Sequence, residues 1–111
     1  MTTLKAKYTT MKTIENNYFD RNEFDAWMDE FGMVTRTNYK MDCIEIVDIE
    51  SGEVVDYAHP IAITHNGERH YTVMLSEMET NWELNGELFC TITDELEFSN
   101  YPTSVRKALR K

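Results

Sequence analysis

Three short motifs in this 111-residue chain, "ESGE" at 50–53, "HNGE" at 65–68 and "LNGE" at 84–87, each stand between runs in which apolar and polar residues alternate. Gly after Ser or Asn supplies the left-handed backbone of a tight hairpin, and a period of two is that of a strand with one covered face. Together they predict a β-meander over residues 33–98 with about five to six antiparallel strands.

The registers follow from gathering apolar side chains on common faces. A two-residue Ser51-Gly52 loop would place Ile44, Ile46, Val55 and Tyr57 together, with Val47, Ile49 and Val54 on the other face. At the second motif a two-residue Asn66-Gly67 turn would set Ile63 opposite His70 and Ile61 opposite Thr72, mixing the faces. A three-residue loop, His65-Asn66-Gly67, instead gathers Ile61, Ile63, Tyr71, Val73 and Leu75 and is the expected form. The same reasoning at Leu84-Asn85-Gly86 groups Met78, Trp82, Leu88, Cys90 and Ile92, continued by Leu96 and Phe98.

Residues 76–98 hold seven acidic residues and no basic one. In the expected register those core-bound positions are even, whereas Glu77, Glu79, Glu83, Glu87, Glu95 and Glu97 are odd. The carboxylates therefore form a stripe on the face away from the core, with Glu83 and Glu87 directly opposite each other. Such a like-charge pair costs a sheet roughly a few tenths of a kcal/mol, which a basic partner would offset.

Ahead of the meander, "FDRNEFDAWMDEFGM" predicts a helix over 21–31. Asp20 and Glu23 have capping-box spacing, and Phe19 and Phe24 can staple the entry. Phe24, Trp27, Met28 and Phe31 form one apolar stripe, and Gly32 ends the helix. The opposite side carries Asp25, Asp29 and Glu30. The last two sit at the helix C-terminus, where the dipole disfavours anions. Residues 1–12 read as an edge strand or a basic arm, and 102–110 as a short basic helix that begins at Pro102.

The formal charge of −9 understates the segregation. Residues 13–105 hold all twenty acidic residues against four basic ones, a net −16, while seven of the eleven basic residues lie at the two ends. At 41% hydrophobic and 12% aromatic, the chain is a globular domain and not a disordered acidic tail. Its length fits one domain, 1–111. No apolar run could span a membrane or serve as a signal peptide, so a cytoplasmic setting is expected. Cys43 and Cys90 form neither a disulfide framework nor a CxxC motif.

Signatures of catalysis are weak. His65, Glu68 and His70 near one hairpin tip, with His59 ahead of Pro60, allow a metal site to be drawn, but in the expected register His65 is a loop residue while Glu68 and His70 share the outer face, and no fourth ligand joins the three at the tip. HExxH, P-loop, GxGxxG and GxSxG patterns are absent. The fold class expected is α+β: an N-terminal amphipathic helix on an antiparallel meander, closed by a short C-terminal helix.

The function expected is that of a non-enzymatic acidic module without cofactor or metal. It would present Asp25, Asp29, Glu30, Glu77, Glu79, Glu83, Glu87, Glu95 and Glu97 to a basic protein surface. In its strongest form it is a DNA mimic inhibiting a nucleic-acid-binding protein, since carboxylates on alternate strand residues lie ~6.6–7 Å apart, near the single-strand phosphate spacing. Neither a membrane nor direct nucleic-acid binding is expected. A homo-oligomer, with basic ends docked on a neighbour's acidic body, is the alternative, and a small metal-dependent enzyme is the third reading.

Overall fold

The first helix, α1, spans Arg21–Asp29. Its start is fixed as the residues demand: the Asp20 carboxylate accepts the amide of Glu23 at 3.1 Å, and the Phe19 and Phe24 rings meet at 5.6 Å. The helix ends two residues earlier than its apolar stripe. Phe31 and Gly32 donate their amides to Met28 and Asp29 in a tightened turn, and Gly32 then takes a positive φ of 74°. Phe24, Trp27 and Met28 are buried. The computed structural model describes residues 11–13, 19–77, 81–84, 87–89 and 93–109.

Four strands follow in sequence and in space: β2 (Met33–Asn38), β3 (Cys43–Asp48), β4 (Val54–His65) and β5 (Glu68–Leu75), each antiparallel to the next. A short strand, β8 (Asp94–Glu95), pairs Ile61 and Ala62 of β4 and makes a fifth. The molecule is thus an α+β fold, a helix packed on an antiparallel meander, with a 3-10 turn at Phe98–Asn100 and a short helix α2 (Thr103–Leu109) at the end.

All three hairpin registers differ from expectation. At β4–β5 the chain adopts the two-residue turn: His65 pairs Glu68, Ile63 pairs His70 and Ile61 pairs Thr72. Asn66 and Gly67 both have positive φ, 51° and 80°, the backbone of a type I′ turn whose twist matches the strands. The faces need no sorting because both are covered. His70 and Thr72 are 1% and 3% exposed beside Ile61 and Ile63, while Ala58, Ala62, Val73 and Leu75 are buried on the other side.

At β3–β4, Ile44 pairs Ala58, Ile46 pairs Asp56 and Val47 pairs Val54, with a bulge between Ile46 and Val47. Tyr57 therefore lies across from Glu45 and not with the isoleucines. The cause is local: Asp48 accepts the Glu50 amide on its side chain at 2.8 Å and the Gly52 amide on its carbonyl, which lengthens the turn beyond Ser51-Gly52.

The third hairpin belongs to a separate three-stranded sheet. There β1 (Met11–Thr13) runs parallel to β6 (Asn81–Leu84), which is antiparallel to β7 (Glu87–Phe89). Leu84 pairs Glu87 and Glu83 pairs Leu88, so Glu83 and Glu87 are not opposite each other. The register joins odd positions of β6 to even positions of β7, and the continuous stripe of odd-numbered carboxylates is broken there. The proposed places of residues 1–10, Met78, Glu79, Asn85, Gly86, Cys90 and Ile92 lie outside the described residues.

A buried guanidinium ties three elements together. Arg21, 2% exposed, donates to Asp25 at 2.9 Å, to the hydroxyls of Thr37 (2.7 Å) and Thr35 (3.2 Å), and to the carbonyl of Leu109 at 2.9 Å. It thereby links α1 to β2 and to the end of α2. Tyr101 stitches the core from the other side, donating its hydroxyl to the carbonyls of Thr72 and Ile61. Burial pushes that phenol well above its ordinary pKa.

Candidate functional site

The long strand β4 changes neighbours along one edge. From Val54 to Ala58 that edge is held by β3, and at Ile61 and Ala62 by β8, because β5 already occupies the opposite edge. Pro60 sits at the changeover. It has no amide hydrogen to offer, and its carbonyl accepts from Leu96 at 3.0 Å. The two neighbouring strands separate there and leave a groove of about 460 Å³.

One wall is the connection between β2 and β3. Asn38 accepts the amides of Lys40 (3.1 Å) and Met41 (3.0 Å) on its side-chain oxygen and donates to Glu45 at 3.0 Å. Asp42 then takes a φ of 51°, in the left-handed region that Asp tolerates. Arg36 completes this support with a 2.6 Å bond to Glu45, a bond that holds the Glu45 carboxyl below its usual range. The other wall is β8 and the residues after it, fixed by the Thr93 amide and hydroxyl on the Ala62 carbonyl at 3.0 and 2.9 Å.

The polar groups of the lining are the carboxylates Asp42, Glu95 and Glu97, the ammonium of Lys40, and His59, which shares a 2.5 Å hydrogen bond with Ser76. The rest is apolar: Met41, Pro60, Ile61, Met74 and Leu96. Three negative charges against one positive, over an apolar floor, suit an organic cation with an aliphatic stem. Met41 is 58% exposed at the mouth and nearby Tyr39 62%, large side chains left in water by the fold.

The nine acidic residues singled out in the sequence are distributed unequally. Glu95 and Glu97 meet at the groove, and Asp42, which the sequence reading passed over, joins them. Asp29 and Glu30 are exposed at the end of α1, and Glu77 is exposed after β5. Asp25, partly exposed, is held by Arg21 and by the Thr35 hydroxyl. Glu83 and Glu87 lie on β6 and β7 in the second sheet, and Glu79 is outside the described residues.

Among the described residues no three His, Cys, Asp or Glu side chains form a group fit to hold a metal ion. His70 is buried, with its Nε2 3.9 Å from Glu68, and His65 is a half-buried residue at the end of β4. Cys43 is fully buried, and burial, with Glu45 and Asp42 adding to it, raises its thiol pKa. Among the described residues no helix is long and apolar enough to cross a membrane. Comparison of the chain with protein-family models, with curated proteins and with solved structures gives no match.

Proposed function

We propose that this protein is a non-enzymatic acidic module that occupies a basic surface on another protein, with a nucleic-acid-binding protein as the partner class and inhibition as the outcome. The observation that carries the reading is the joining of Glu95, Glu97 and Asp42 around one groove, on a body whose residues 13–105 have a net charge of −16. Neither the fold nor its solubility needs three carboxylates at one mouth, where mutual repulsion costs stability. A basic partner converts that cost into charge-assisted hydrogen bonds and fast, salt-sensitive encounter. A cytoplasmic setting fits the unreactive, buried thiol of Cys43.

The test is retention of partners from cell extract on immobilised protein, washed at about 0.1 M and about 1 M salt, where the screening length falls from ~10 to ~3 Å. Proteins with basic nucleic-acid-binding surfaces should be retained, should elute at the higher salt, and should lose their DNA when the purified protein is added. Retention that ignores salt, or self-association with no foreign partner, would remove this reading; the latter would favour the homo-oligomer.

A further inference from the structure

We infer that the groove between β3 and β8 seats one arginine or lysine side chain, carried on an extended segment of the partner protein. This deepens the acidic-module reading and rests on it. Three observations converge on that occupant. The half-buried side chains of Met74 and Leu96, backed by the buried Pro60 and Ile61, offer contact to an aliphatic stem. Glu95, Glu97 and Asp42 line the same groove and can meet the charged head, and the single ammonium of Lys40 leaves the lining two charges short of neutral. Met41, 58% exposed beside the entrance, can fold its flexible thioether chain over the stem and exchange solvent for contact.

The groove is also held open by construction. Pro60 denies β4 an amide at the changeover, so β3 and β8 gain no ladder bond by closing across it. Asn38 and Thr93 brace the two walls from outside. A seat that is open before the partner arrives has little ordering cost to meet on binding.

The experiment is an amide NMR titration of the full chain with a short peptide bearing one arginine between two leucines in a glycine-serine background. The control peptide replaces arginine by citrulline, its neutral isostere. The arginine peptide should shift the amides of Lys40, Met41, Asp42, His59 and Leu96, and the citrulline peptide should bind about tenfold or more weakly. The double variant Glu95→Gln/Glu97→Gln, checked by thermal melting, should weaken the arginine peptide by about tenfold or more. The exposed pair Glu50→Gln/Glu53→Gln should leave it unchanged.

Equal binding of the citrulline peptide overturns the seat. So does an equal loss in the Glu50/Glu53 variant, or binding of polyarginine with none of the single-arginine peptide; in both cases the acidic surface acts diffusely and the module reading stands. If neither the peptide nor polyarginine binds at low salt, both readings fall.

Discussion

The Asp56 carboxylate is 1% exposed; its Oδ1 takes the amides of Tyr57 (2.7 Å) and Glu77 (2.9 Å), and among the described residues its Oδ2 has no partner. Burial pushes its pKa up, the Glu77 carboxylate adds to that, and the two amides pull the other way without cancelling it. A raised folded-state pKa means that the fold prefers the protonated acid. The stability it contributes is complete below the ordinary carboxylate range and is lost as pH rises through the folded-state value. Asp56→Asn keeps an oxygen for both amides and removes the buried charge. It should therefore melt higher than the parent at about pH 7, with the gap closing as pH falls toward about 4. Melts across that range decide it, and a variant less stable at neutral pH would mean that the fold relies on the ionised form. Nothing in "VVDYAHP" announces this residue, because a single Asp inside an apolar run reads equally well as a solvent-facing position.

Among the elements, α1 is tied to its surroundings by more than its apolar stripe. Arg21→Ala removes the donor to Asp25, Thr35, Thr37 and Leu109 at once and leaves their oxygens partly buried. The loss should be about 3 kcal/mol, the lower end of the range for breaking a buried pair because Asp25 is partly exposed. Arg21→Lys should recover only a minor part, since one ammonium cannot span four acceptors. Urea denaturation measures both, and a loss below about 1 kcal/mol would reduce the cluster to a surface pair. The start of α1 was legible because Asp20, Phe19 and Phe24 act within a few residues of one another. Hairpin registers were not. Face-sorting assumes a sheet with one wet side, whereas β4 is covered on both, and the Asn66-Gly67 turn then decides the pairing by its own twist. Asp48 decided the preceding hairpin in the same local way.

Across the whole molecule, the smaller sheet is joined to the larger by way of the helix packed on it: Trp82 of β6 meets Trp27 of α1 edge-on with ring centroids 6.2 Å apart, both buried. Burial of both rings follows directly from the apolar stripe of α1 and the even-numbered positions after Met78. Trp82→Ala should cost about 3–5 kcal/mol, and the double variant with Trp27→Ala should cost less than the two single losses added, because each removes the same contact. Strict additivity in chemical denaturation would show that the two sheets are not coupled through these rings. The groove was less legible than the core. Its lining comes from residues 40–42, 59–61, 74 and 95–97, and no local pattern links those segments; only Asn38 and Pro60 hint that a strand edge is interrupted. The buried Arg21 also sets a timetable. Its acceptor at Leu109 lies 88 residues further along the chain, so a nascent polypeptide carrying α1 and β2 offers the guanidinium Asp25, Thr35 and Thr37 but lacks the fourth acceptor. Closure of the structure over Arg21 is therefore complete only once α2 is in place, so the last helix of the chain finishes the burial of the first.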